Sequence, residues 1–216
     1  GHAVTENSEM HKDRRCENPE YQNDRMGVLR FEKADGSGPL ALIINYAMHG
    51  TVLAPEDACL SGDAPRAVEQ KVRESIEGNP MVMFLQSWAG DMSPGDISIP
   101  DTEDIPAMND YRRFDSLEAL GRSAWESVDA VWDSIELEEN ADLKISTKQV
   151  RFGLDEIGYE PEEFALEFGG FMCGGTQEYC PGNGNTVNMN NCLPVPESYV
   201  IPQTRVTALK IGNVAL

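Results

Sequence analysis

The first sustained apolar rhythm begins at residue 26. In MGVLRFEKADGSGPLALIINYAMHG, Met26, Val28, Leu29 and Phe31 mark one strand and Leu40 to Ala47 a second, with Asp35-Gly36 and the following Ser-Gly-Pro supplying the turn. The second run, LALIINYAM, is apolar almost throughout, as expected of a strand covered on both faces. The spacing then changes to three and four. Ala67, Val68, Val72 and Ile76 predict a helix, with Ser61 or Asp63 placed to cap its start, Pro65 in its first turn and Gly78-Asn79-Pro80 ending it. MVMFLQS, residues 81–87, follows as another buried strand. After a loop from Trp88 to Asp110, rich in proline and acidic residues, a long helix is predicted from about 113 to 135. Leu117, Leu120, Ala124, Val128, Val131 and Ile135 recur there on one face. ADLKISTKQVRFGL alternates like a strand, and TRVTALKIGNVAL supplies one or two more at the end.

A strand, a helix and a strand in that order, with apolar strands, predict an α/β (or α+β) architecture: a layered mixed sheet with flanking helices. No internal repeat is present. The 216 residues are taken as a single domain, 1–216, interrupted by a Cys-, Gly- and Asn-rich loop at about 169–193. The opening, GHAVTENSEMHKDRRCENPE, is polar and irregular and has no signal-peptide core. The last residues, ALKIGNVAL, stop in mid-strand without a polar tail, so the chain is expected to be cut at both ends.

Charge and composition narrow the function. A net charge of −20 argues against nucleic acid and against an anionic membrane surface, both of which call for clustered Lys and Arg. No apolar run is long enough for a transmembrane segment. Of five cysteines none forms a CxxC pair, which disfavours a structural zinc knuckle. Cys173, Cys180 and Cys192 lie in CGGTQEYCPGNGNTVNMNNC, a stretch with little to bury. A disulfide is expected within it, and with the disulfide a secreted, periplasmic or extracellular location.

Three histidines exist. His2 and His11 fall in the polar opening and are expected to be solvated. His49 directly follows the strand LIINYAM, at the position where ligands collect in open α/β sheets. Ser93 lies in QSWAGDMSPG, which leaves the strand at 81–87 in the same way. The segment is not G-x-S-x-G, so no nucleophile elbow is implied, and a serine before proline is commonly a turn residue. With His2 and His11 set aside, a self-contained serine triad could draw only on His49 as base.

NYAMHGTVLAPEDACLSGDAPRAVEQ followed by FLQSWAGDMSPGD resembles the neutral (non-lysosomal, or alkaline) ceramidase family, which carries NWFAxHGTSM, then SGDNxGYA, then NxGDVSPN after a buried strand. MGVLRF and the closing IGNVAL are similar to the same catalytic domain, so the resemblance spans most of the chain. It implies an incomplete catalytic domain of a zinc-dependent, ceramidase-like amidohydrolase. Its substrate would be a lipid amide, an N-acyl sphingolipid split into fatty acid and sphingoid base in sphingolipid metabolism. On this resemblance His49 is a metal ligand for Zn and Ser93 the catalytic serine. Zinc would polarise the amide carbonyl or lower the pKa of a bound water. The family's other zinc ligands belong to an HTH segment upstream, a PGE glutamate after the IGNxAL strand and a distal tyrosine. They are expected in the remaining parts of the full-length enzyme, and the fragment alone is expected to be inactive. Three positions depart from the pattern: Tyr46 replaces Trp, Ala64 replaces Asn after SGD, and Gly95 replaces the Asn after SP.

Two other readings fit the residues. In one, this is a non-catalytic α/β recognition domain in which His49 and Ser93 are structural. In the other, Ser93 and His49 form a metal-free hydrolytic dyad whose activity would survive chelators.

Overall fold

A computed structural model of the chain describes residues 1–13, 23–53, 61–89, 92–95, 110–139, 141–151, 171–173, 192–194 and 203–215. The contacts divide it into two compact units, 1–137 and 138–216.

The first unit is a mixed α/β layer. Strands β1 (His2–Glu6), β2 (His11–Asp13), β3 (Arg25–Glu32) and β4 (Pro39–Tyr46) precede helix α1 (Asp63–Ser75). Then come β5 (Met81–Gln86), β6 (Met92–Pro94) and helix α2 (Asp110–Trp132). The main sheet has the order β1-β3-β4-β5. β1 and β4 run antiparallel to β3, while β4 and β5 pair in parallel, Ala41 opposite Met81 and Tyr46 opposite Gln86. A parallel pair cannot be closed by a hairpin, and here the crossover is α1. β2 and β6 form a second, two-stranded antiparallel ladder.

The predicted elements at 26–31, 40–47, 81–87 and both helices are present. α2 starts and ends about three residues earlier than the apolar spacing suggests, and Ile135 joins the core from just beyond it. β1, β2 and β6 lie in segments that sequence pattern alone assigned to irregular structure. At the start of α1 neither predicted cap forms. Gly62 is the N-cap, without a side-chain cap, and the Ser61 hydroxyl accepts the Asp63 N–H at 3.0 Å.

The core lies between one sheet face and the two helices. Val28 of β3, Leu42, Ile44 and Tyr46 of β4, Val68 and Val72 of α1, and Leu120 and Val128 of α2 are fully buried. Each aliphatic member contributes about 1.5–3 kcal/mol through burial. Gly121 lets the helices approach closely, since a Cβ there would lie 2.8 Å from the Ala67 carbonyl oxygen. Arg30 reaches from β3 over the Trp132 ring, 4.0 Å from its centroid.

One expectation is met only in part. β4 does not have both faces covered by the described residues: buried Leu42, Ile44 and Tyr46 alternate with half-buried Ala41, Ile43 and Asn45. On the same open face of β5, Met81, Met83 and Leu85 are exposed. Both helices pack on a single face, and burial on the other is uneven: Leu29, opposite Ile43, is buried, while the side chains of Met81, Met83 and Leu85 are not covered by anything described.

Asn7, at the turn between β1 and β2, ties these layers together. Its amide nitrogen donates to Ser123 Oγ at 2.9 Å and Ser127 Oγ at 2.8 Å on α2. Its Oδ1 accepts the N–H groups of Glu9 and Met10, both at 3.0 Å. Its own N–H donates to the Asp24 carbonyl, and its carbonyl accepts the Tyr46 hydroxyl.

The second unit contains β7 (Leu143–Arg151), β8 (Phe171–Cys173), β9 (Cys192–Pro194), β10 (Gln203–Ile211) and β11 (Val214–Ala215). β11, β10 and β7 make a three-stranded sheet, with Gly212 at φ 56° in the tight turn between β10 and β11. β8 and β9 form an antiparallel pair whose register sets Cys173 opposite Cys192. The expected disulfide lies outside what is described: Cys173 and Cys192 are placed by their backbone alone, and Cys16, Cys59 and Cys180 lie outside the described residues.

Replacing Asn7 with Ala removes the acceptor for two backbone N–H groups, one of them in a buried bond and one in a part-buried bond. Unit 1 is expected to lose about 2–4 kcal/mol, read as a lower urea midpoint at unchanged slope.

Candidate active site

Parallel pairing makes β4 and β5 end side by side. Beyond their last pair the Ser87 N–H donates to the Tyr46 carbonyl at 3.0 Å, and the two chains then diverge into the loops that carry His49 and Ser93. They meet again at once. The His49 N–H donates to the carbonyl of Met92, the residue before Ser93, at 3.0 Å. His49 and Ser93 therefore sit at one edge of the sheet, and each is half-buried. Ala47, Ala89 and Met92, from the same two segments, form a small buried cluster.

Each candidate is held by its own device. The chain beyond His49 is tied down by Asp63, whose carboxylate accepts the N–H groups of Val52 and Leu53, both at 2.9 Å, and of Ala64 at 2.6 Å. Asp63 adopts φ 48°, a left-handed conformation that costs an L-residue about 1 kcal/mol and that Asp tolerates better than most. Ser93 is fixed by β6. Lys12 stands opposite Ser93 in the ladder with β2, and the Gly95 N–H donates to the Met10 carbonyl at 2.9 Å.

His11 overturns the expectation of a solvated side chain. It is buried, with Nδ1 donating to the Ala47 carbonyl at 3.2 Å and Nε2 3.0 Å from Asp24 Oδ1. Its ring stacks on Tyr46, centroids 5.1 Å apart and planes at 15°. A second histidine thus does lie in the body of the fold, but both its nitrogens are engaged, so it does not offer Ser93 a base. His2 is exposed on β1, as expected. Burial, and after it the Asp24 carboxylate, push the Tyr46 phenol's pKa far up, so the hydroxyl remains a donor to Asn7.

The sequence departures have local causes. Ala64 is fully buried at the start of α1, where an amide would need partners. At Gly95 a Cβ would run into the Glu9 carbonyl oxygen, which is backbone and cannot step aside.

Among the described residues, no group of three or more His, Cys, Asp and Glu side chains could hold a metal ion. A catalytic zinc needs about three protein ligands, so the described residues do not complete a zinc site around His49. No described helix is long and apolar enough to cross a membrane. A groove of about 420 Å³ lined by Ser61, Asp63, Arg66, Lys71, Glu74 and Glu118, among others, includes neither His49 nor Ser93.

Gly95→Ala is expected to push β6 away from β2. Hydrogen exchange of the Gly95 amide should rise at least about tenfold, with a loss of stability of about 1–3 kcal/mol.

No family model matches the chain, and no curated protein sequence does. Solved structures do share its fold. The neutral ceramidase from Pseudomonas aeruginosa superposes with a TM-score of 0.65 at 17% identity, over 99% of this chain and 38% of that one. A ceramidase complexed with C2 gives a TM-score of 0.64 at 16% identity, over 99% and 40%. The chain thus spans about two-fifths of the length of these structures, and at such identities what it shares with them is the fold.

Proposed function

We propose that the chain is part of a hydrolase acting on linear amides of ceramide-like N-acyl sphingolipids, releasing a fatty acid and a sphingoid base. Ser93 is its catalytic hydroxyl and His49 one ligand of a zinc ion. The observation that carries this reading is the hydrogen bond from the His49 N–H to the Met92 carbonyl. It sets an imidazole-bearing and a hydroxyl-bearing residue on one strand-end edge, in a fold shared with two ceramidases.

Amide hydrolysis needs a hydroxyl held against the acyl carbonyl with little freedom to move, because positioning supplies a large part of the rate. β6 provides that restraint, with the ladder to β2 on one side and the bond to His49 on the other. The zinc reading requires further ligands. We assign them to the remaining parts of a longer enzyme, together with the polypeptide that covers Met81, Met83 and Leu85. That the chain spans about two-fifths of the similar structures supports this assignment.

A secreted, periplasmic or extracellular location belongs to the same proposal, through a disulfide in the Cys-rich segment. The Cα register of β8 and β9 favours the pair Cys173–Cys192. Peptide mapping without reductant should recover these two cysteines linked. Finding both alkylated instead removes the argument for an oxidising compartment.

The decisive experiment uses the longer enzyme, N-acylsphingosine as substrate and metal analysis. Ser93→Ala is expected to lower turnover at least about a thousandfold with zinc retained, and His49→Ala to lose both zinc and turnover. Full activity in Ser93→Ala removes the serine from the mechanism. An enzyme that binds no zinc and cleaves no amide leaves His49 and Ser93 as structural residues of a recognition domain.

A further inference from the structure

We infer that His11 is a positioning residue of the candidate site, the pin that holds the Ser93 ladder against the end of the His49 strand. The inference rests on the hydrolase reading for its catalytic consequence, but not for its geometry.

The β2–β6 ladder is only three residue pairs long, His11 opposite Pro94, Lys12 opposite Ser93 and Asp13 opposite Met92. A two-stranded ladder of that length does not stand alone in water, so where Ser93 sits depends on what docks the ladder. Two of the described attachments lead to the end of β4 and the residues just after it. One is the backbone bond from His49 to Met92. The other is the His11 side chain, which leaves β2 and meets β4 twice, stacking on Tyr46 and donating to the Ala47 carbonyl, two residues before His49.

The second ring nitrogen turns this contact into a three-way junction. Nε2 lies 3.0 Å from Asp24 Oδ1, and the Asp24 carbonyl accepts the Asn7 N–H. Asp24 immediately precedes β3, so one imidazole connects the Ser93 ladder, the root of β3 and the end of β4. Its side chain is wholly buried and both nitrogens face oxygen acceptors. An apolar residue of similar size would keep the packing but leave the Ala47 carbonyl and the Asp24 side chain without this partner. A neutral role in the core does not need a ring that bonds at both ends. Fixing the separation of two strand ends does.

The test compares His11→Ala and His11→Gln with the unaltered chain by amide hydrogen exchange. The His49 and Gly95 amides report the docking of β6, and Val68 and Val72 in α1 report the rest of the unit. In His11→Ala the two reporters are expected to exchange at least about tenfold faster, while the α1 amides stay within about twofold. His11→Gln keeps a donor that can reach toward Asp24 and gives up the one to Ala47, so it should recover part of the protection. Should the alanine variant fail to fold, the glutamine variant alone should show the same local pattern at smaller size.

In the longer enzyme the same alanine change is expected to lower kcat about tenfold or more, with KM within about threefold, and glutamine to restore part of kcat. Unchanged exchange at His49 and Gly95, or a rise matched in α1, overturns the inference. So does full kcat in His11→Ala. Local loosening in an enzyme that hydrolyses no amide would support the pin while rejecting the hydrolase reading, which keeps the two apart.

Discussion

Parallel pairing of β4 with β5 is the constraint on which the rest of this molecule depends. Had the two strands formed a hairpin, the end of one would have adjoined the start of the other. With α1 as the crossover they end together, Tyr46 beside Gln86, and the segments that follow cannot avoid each other. The helix can make that crossover because Ala64, Val68, Val72 and Ile76 keep one face apolar and Gly121 lets α2 pack closely behind it. The edge at which His49 and Ser93 sit is therefore decided in the core, away from both residues.

Around that edge the stabilising groups are polar and wholly or partly buried, and they succeed because they are partnered. Among the described residues no buried side-chain nitrogen or oxygen lacks a hydrogen bond. Asn7 and Asp63 illustrate the principle from two sides. Each is a short side chain whose oxygens gather backbone N–H groups that loops would otherwise bury unpaired. In this way irregular segments acquire the rigidity of secondary structure at the places where regular structure has to stop.

The sequence made the central elements visible because their signals are local. Val68 and Val72 repeat at helical spacing, and Leu42, Ile44 and Val82 fall in unbroken apolar runs. His49 and Ser93 could be singled out for the same reason, since each follows directly on such a run. What could not be seen depends on distant partners. β1 and β2 are short and polar, and they exist as strands because β3 and β6 accept them. His11 looks solvated from its neighbours Met10 and Lys12, yet it is buried by Tyr46 and Ala47, far along the chain. The apolar character of LALIINYAM predicts two covered faces, and the structure covers one fully and the other unevenly. An uncovered apolar face leaves the same mark on a sequence, because composition records what a side chain is and not what lies against it.

That open face has a consequence for how the protein behaves in solution. Met81, Met83 and Leu85 stand on β5, which ends the sheet order and has no further strand beside it among the described residues. A bare apolar strand at a sheet margin is a template on which a second molecule can add. Opposing this is the net charge of −20, which repels like molecules at a range set by the surrounding ions, about 8 Å at physiological ionic strength. In dilute buffer this repulsion opposes such addition, and added electrolyte weakens it without altering the apolar strand.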